Sequence, residues 1–267
     1  MANVETFLRD LEAIREKGPL VLNITNIVVA NSTANALLAL GASPLMALAE
    51  EEGGDLAAIS HALVINIGTL TRDEVRTMEA AWATAADRGV PVVFDPVGAG
   101  ASGLRTATSL SLLAAHRPAI IRGNGSEVLT LAGETGQAKG VDSTRTADAA
   151  QEGARALAGA HGCVVCVSGE TDVVTDGERG CRIVGGHALM PRVTGLGCTA
   201  SAVCAAFAAV NPDPFEATVH GMACMAIAGA LAGGKADGPG TMQLHFLDEL
   251  YALDSVDVGR LFRVSDL

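Results

Sequence analysis

The sequence predicts an α/β fold: a mainly parallel central sheet covered by helices on both faces, with an antiparallel hairpin at one edge. Three observations carry this. Short, near-continuous apolar runs alternate with helix-period stretches as far as Ser168, the pattern of parallel strands buried on both faces. The composition, 49% hydrophobic but only 3% aromatic with 31 glycines, suits close packing of helices on a sheet through small side chains. After Ser168, two β-type runs, Val173 to Thr175 and Arg182 to Val184, flank Asp176-Gly177, and an Asp-Gly pair between such runs signals a hairpin.

Taken in order, the chain opens with Phe7, Leu11 and Ile14 at helical spacing in the charged segment 1–17, which predicts an amphipathic helix and excludes a signal-peptide core. Strands come next at Leu20 to Ile24, Leu45 to Leu48, Leu63 to Ile67, Val92 to Phe94, Ala119 to Ile121 and Val164 to Val167. Between them, helices are expected at Ser32 to Leu40, Gly54 to His61, Arg72 to Arg88, Leu104 to Ala115, Ser126 to Ala132 and Ser143 to Ala158, with right-handed crossovers. Ala200 to Val210 reads as a buried helix. Asp213-Pro214, a cap followed by a good first helical residue, opens a second one. Its stretch Met222 to Ala232 is apolar but short and interrupted by glycines, so it reads as core rather than as a membrane span. Thr241 to Leu253 reads as a final helix. No linker or repeat breaks the pattern, so residues 1–267 read as one domain.

The formal net charge is −12 and no basic stretch offsets it, which argues against nucleic acid or an anionic membrane as partner. A polyphosphate ligand would then need a local cation or a metal ion. Cys163 and Cys166 have zinc-pair spacing, but residues three apart on a strand face opposite ways, so they read as small core side chains. The cysteines form no disulfide framework, which points to the cytoplasm. His61, His116, His161 and His245 show no metal spacing and are expected on surfaces, and His187 and His220 are equally isolated.

The residues just past each strand are more informative. These tails are Thr25-Asn26; Glu50 to Glu52 beyond Met46; Asn66-Ile67-Gly68-Thr69; Asp95-Pro96-Val97-Gly98; Arg122-Gly123-Asn124 with Ser126-Glu127; and Ser168-Gly169-Glu170. All lie at the carboxyl ends of parallel strands, the edge on which open α/β sheets bind ligands. Asp95 is either a turn-starting acid or a Mg²⁺ ligand. Glu127 is either a favourable charge at a helix start or a group that holds Mg²⁺ through water. Arg122 can pair with phosphate oxygens or with a neighbouring acid. The run Thr194-Gly195-Leu196-Gly197-Cys198-Thr199, just before an apolar helix, is either a plain turn or an anion site made of glycines and free helix-start N–H groups. It also satisfies Gly-x-Gly-x-x-Ala, but it comes late, after a hairpin, which disfavours a dinucleotide fold; no P-loop signature is present. Phosphorylation of a small alcohol by ATP explains more of these residues than a nonenzymatic binder does.

In order along nearly the whole chain, Asn23-Ile24-Thr25-Asn26, Leu38 to Pro44, Asn66 to Leu70, Asp95 to Ala101, Arg122-Gly123-Asn124, Gly140-Val141-Asp142-Ser143, Thr175 to Arg179 and Val193 to Cys198 resemble the hydroxyethylthiazole kinases of thiamine biosynthesis. The resemblance implies a ribokinase-like fold and a homotrimer with active sites between subunits. It implies Mg²⁺-dependent transfer of the ATP γ-phosphate to 4-methyl-5-(2-hydroxyethyl)thiazole. Carried over by motif, Met46 and Gly195 contact the thiazole with Asn26 nearby, and Arg122 and Ser168 contact ATP. Asp95 and Glu127 organise Mg²⁺, and Gly195, Gly197 and Cys198 belong to the anion hole. Cys198 stands where the wider group carries an aspartate base, and is expected to assist proton removal without a covalent intermediate. Leu22, Ser168 and Leu196 depart from the family pattern, Leu22 as part of the pocket wall. Kinases of hydroxymethylpyrimidine or pyridoxal would use similar phosphate machinery.

Overall fold

Six parallel strands carry the fold: β1 (Leu20–Ile24), β2 (Ser43–Met46), β3 (Ala62–Asn66), β4 (Val92–Asp95), β5 (Ile120–Asn124) and β6 (Val164–Ser168). Antiparallel β7 (Thr171–Thr175), β8 (Gly180–Val184) and β9 (Val264–Asp266) extend the sheet. The order across it is β2-β1-β3-β4-β5-β6-β7-β8-β9, so the winding direction reverses between β1 and β3. A ligand crevice is expected there, beyond the carboxyl ends of the strands. The computed structural model describes residues 2–133 and 143–267; the family motif at Gly140-Val141-Asp142 lies outside them.

Strand side chains alternate between two cores. Val21, Val64 and Val93 face a layer built from α1 (Val4–Lys17), α2 (Ala30–Leu40), α8 (Leu196–Ala208), α9 (Pro214–Lys235), α10 (Pro239–Ala252) and α11 (Ser255–Leu261). Leu22, Ile65 and Phe94 face α3 (Glu50–Ile59), α4 (Arg72–Arg88), α5 (Gly103–Ala115), α6 (Gly125–Leu131) and α7 (Ser143–His161). This is the expected three-layer arrangement. Cys166 lies in the first core and Cys163 in the second, so the pair does face opposite ways. α9 is long and apolar enough to cross a membrane, but 83% of its apolar window is buried inside the protein. Its N-cap is Asp213, which accepts from the Phe215 N–H, with Pro214 in the first turn.

Several details differ from the sequence reading. β2 begins at Ser43 and ends at Met46, two residues early; it is an edge strand, where Pro44 needs no ladder donor. α3 starts at Glu50 rather than at the expected Gly54, and the acidic run Glu50 to Glu52 is the solvated helix start that its charge suggests. The helix over Pro239–Ala252 is not the last element, and the hairpin is not the outermost edge: α11 comes after it, and β9 then pairs with β8. Leu22 is fully buried in the second core rather than part of a pocket wall.

His220 is the exception among the histidines: it is fully buried on α9. Its Nδ1 donates to Asp10 Oδ2 at 2.8 Å and its Nε2 meets Thr6 Oγ1 at 3.2 Å. Asn211 Nδ2 donates to the same Asp10 oxygen at 2.6 Å, and Arg9 donates to Asp10 Oδ1 through Nε and Nη2. This cluster ties α1 to α9 and to the end of α8, and it leaves no oxygen of Asp10 unpartnered.

Candidate active site

The strand tips converge on Asp95, the last residue of β4, which is fully buried. Its Oδ2 accepts from Asn66 Nδ2 at 2.9 Å and from Ser201 Oγ, on α8, at 2.7 Å. Its Oδ1 is buried with no partner. Burial pushes the carboxyl up to about 6, against the pull of the nearby Arg122 charge. Asn66 Oδ1 in turn accepts from Asn26 Nδ2 at 2.8 Å and from the Gly68 N–H at 3.0 Å. Asn26 Nδ2 also reaches Cys198 Sγ at 3.5 Å. One continuous set of contacts thus joins the tips of β1, β3 and β4 to the first turn of α8.

Two glycines shape that turn. Gly195 caps α8 with φ +86°, and a Cβ there would lie 2.6 Å from Val29 Cγ1. Both the backbone angle and the space therefore demand glycine. A Cβ on Gly197 would lie 2.9 Å from Arg122 Nη1, so the guanidinium rests against the helix start. The helical ladder begins with the Thr199 N–H to Gly195 O, 2.8 Å, and no side chain caps α8. The N–H groups of Leu196, Gly197 and Cys198 precede that ladder, the arrangement that binds anions. Arg122 donates through Nη2 to Ser168 Oγ, which donates on to Gly123 O at 3.3 Å, while Arg122 Nε is buried without a partner. Burial and the neighbouring Asp95 raise the Cys198 thiol above its ordinary value, outweighing the hydrogen bonds from Asn66 and Asn26 and the Arg122 charge, so the group stays a neutral thiol.

Glu127 fills the first of the two roles the sequence left open, at the start of α6. Its Oε2 accepts from the Asn124 N–H at 2.8 Å while its own N–H donates to Asn124 Oδ1 at 3.0 Å, a capping box that starts α6. Its Oε1 accepts from the Gly98 N–H at 2.8 Å, which clamps the turn after Asp95. Arg105 holds that region from α5, donating to Gly68 O and to Val97 O. Beside Arg122 opens a cleft of about 840 Å³, running from Ser168 and Asp172 to the apolar side chains of Met190, Met222 and Met225. Asp172 Oδ1 accepts from the Gly169 N–H at 3.0 Å, and burial pushes this carboxyl up to about 6.

Of the residues singled out from the sequence, Asn26, Asp95, Arg122, Ser168, Gly195, Gly197 and Cys198 come together, and Glu127 joins them through the Gly98 turn. Met46 stands apart at the tip of the edge strand β2, half-buried and level with Asn23 of β1. Asn66, Ser201 and Arg105 escaped the sequence reading as individual site residues. Ser201 had one signal: a hydroxyl three residues after Cys198, on the same face of an otherwise apolar helix.

The Hydroxyethylthiazole kinase family model matches residues 11–256. A hydroxyethylthiazole kinase of Nitratidesulfovibrio vulgaris (strain DSM 19637 / Miyazaki F) is 54% identical over 264 residues, covering 99% of each chain. One from Syntrophus aciditrophicus (strain SB) is 52% identical, covering 95% of this chain and 94% of that one. Among solved structures, the hydroxyethylthiazole kinase protein from Pyrococcus horikoshii OT3 superposes with a TM-score of 0.90 at 38% identity, over 98% of this chain and 99% of that one. The pyridoxal kinase from Staphylococcus aureus in complex with pyridoxal, at 18% identity and a TM-score of 0.65 over 93% of this chain and 99% of that one, shares the fold alone. On this match along nearly its whole length, the chain belongs to the hydroxyethylthiazole kinase family.

Proposed function

We propose that this chain transfers the γ-phosphate of ATP to the hydroxyl of 4-methyl-5-(2-hydroxyethyl)thiazole. The observation that carries the reading is the placement of the Arg122 guanidinium against the uncapped first turn of α8, beside a buried carboxylate with one free oxygen. Donors and a fixed cation concentrated at one point suit a phosphoryl group in transfer, where catalysis is mostly positioning and charge neutralisation. In this reading the N–H groups of Leu196, Gly197 and Cys198 bind oxygens of the transferring phosphate. Arg122 and Ser168 bind the nucleotide phosphates, and the cleft toward Met190 and Met225 takes the rest of the nucleotide. Asn26, Met46 and Gly195 hold the thiazole. Cys198, as a neutral thiol beside the acceptor hydroxyl, assists proton removal by accepting a weak hydrogen bond from it, while the proton passes to an oxygen of the phosphoryl group as the new O–P bond forms and no bond joins sulfur to phosphorus.

The residues present fit Mg²⁺. Asp95 Oδ1 is an orphaned, buried carboxylate oxygen, and Glu127, with each oxygen engaged by one N–H, keeps lone pairs for a bridging water. Among the described residues no cluster of three or more His, Cys, Asp or Glu could hold a metal ion. That suits an ion that takes most of its ligands from phosphate and water. Such an ion supplies charge neutralisation on the phosphates.

Exposed apolar side chains just past the β1 tip, Ile27 and Val28, support a homotrimer whose neighbouring subunit completes the thiazole site. Six free cysteines, five of them buried, support a cytoplasmic location, and the continuous sheet supports one folding unit. The test is ATP consumption with hydroxyethylthiazole, hydroxymethylpyrimidine and pyridoxal in parallel, each with Mg²⁺. The reading expects turnover on the thiazole to exceed the others by a wide margin. Preference for either of the other alcohols, or tight binding of any of them without turnover, would overturn it.

A further inference from the structure

We infer that Asn66 is a positioning residue for the reaction, and that it fixes which oxygen of Asp95 is presented to the ligands. This rests on the kinase reading above. Asn66 and Asp95 are directly paired between β3 and β4, so their side chains share a face of the sheet. The partners of the Asn66 amide dictate its orientation. Its Oδ1 accepts two N–H groups, from Asn26 and Gly68, so its NH₂ must face Asp95. A flipped amide would set a carbonyl against a carboxylate and an NH₂ against an N–H.

The consequence falls on Asp95. Both of its donors, Asn66 Nδ2 and Ser201 Oγ, reach the same oxygen, Oδ2. A half-turn of the carboxylate only exchanges two equivalent oxygens, so in either orientation the oxygen pointing away from Asn66 and Ser201, here Oδ1, is the one left free. Asn66 is only 1% exposed, which keeps it from touching a ligand and keeps water from replacing it. The same side chain holds Asn26, which contacts Cys198. It therefore sets the acceptor side and the acid side in one register, at the point where the strand order reverses.

The experiment compares wild type, Asn66→Asp and Asn66→Ala by steady-state kinetics per folded molecule, with ATP affinity measured separately by calorimetry. Asn66→Asp keeps both acceptor contacts, loses the donor toward Asp95 and sets a second carboxyl group against it. Both variants are expected to lose about 10- to 100-fold in kcat, Asp the more, while KM and Kd for ATP stay within about threefold. A purely structural role would instead lower the folded fraction and leave kcat per folded molecule unchanged; that outcome, or equal losses in kcat and ATP affinity, overturns the assignment. Should neither variant fold, Ser201→Ala removes the other donor on the same oxygen and is expected to lower kcat about tenfold at constant KM. An unchanged kcat there overturns the assignment too. A wild-type protein that phosphorylates none of the alcohols sinks the kinase reading itself. An active wild type with unaffected variants sinks only the role of Asn66.

Discussion

Asp10 and Asp95 are both aspartates out of contact with solvent, 3% and 0% exposed, yet the fold treats them in opposite ways. Around Asp10, His220, Asn211 and Arg9 occupy both oxygens. Burial alone would raise that carboxyl, but these hydrogen bonds hold it below its ordinary value. Around Asp95, two donors share one oxygen, the other is orphaned, and burial wins. The difference teaches where the protein keeps an unfinished polar site. The cluster that only fastens α1 is complete; the one at the strand tips lacks a partner that a ligand would bring.

The largest effects should come from removing each acid. Asp10→Ala is expected to lower unfolding free energy by about 3–5 kcal/mol, read by denaturant titration, with little change in kcat of the folded fraction. Asp95→Ala is expected to lower kcat about 10²–10³-fold without loss of stability. Comparable unfolding in both variants would erase the contrast.

The pH dependence sharpens it. Asp95 has a folded value of about 6 against an ordinary 3.8, so between about pH 4 and 6 the folded state keeps a proton that the unfolded chain has released. Its contribution to stability therefore falls as pH rises through that window. Asp95→Asn should gain nothing at pH 4 and at most about 3 kcal/mol above pH 7. Asp10→Asn should do the reverse, with a loss that is full at neutral pH and shrinks as pH falls below about 4, where the wild-type carboxyl protonates too. Melting curves of the two variants from about pH 2 to pH 8 decide this; parallel curves would refute it.

Next in size is Arg122→Ala, expected to raise KM for ATP about 10- to 100-fold and KM for the thiazole by less than about threefold, the cost of one charge-assisted contact set. Equal effects on both substrates would remove Arg122 from the nucleotide side. Smallest is Gly195→Ala, which must bear a side chain at φ +86° beside Val29 and is expected to lose about 1–3 kcal/mol of stability. A neutral result would show that the turn has room to give.

Much of this site was legible in the sequence because one rule places it: polar residues directly after apolar parallel strands collect on one sheet edge. That rule alone picks out Asn26, Asp95, Arg122 and Ser168. It could not rank Asn66 above its neighbours, since a hub is defined by partners from other segments, here Asn26 and Asp95. Nor could it pair Asp10 with His220, which lie 210 positions apart in the chain. β9 escaped because three residues give too short a run for alternation to register. β2 slipped because Leu45 to Leu48 is the more hydrophobic stretch, whereas pairing with Leu20 to Asn23 selects Ser43–Met46.

The short strand β9 has a practical consequence. Val264, Ser265 and Asp266 lie along Ile183, Arg182 and Cys181, so the outer rim of β8 is capped by the tail of the chain itself. Trimming those few residues would strip the cap and leave a row of unpaired amides and carbonyls open to another molecule. Preparations truncated at this end should clump on concentration long before they lose the catalytic pocket.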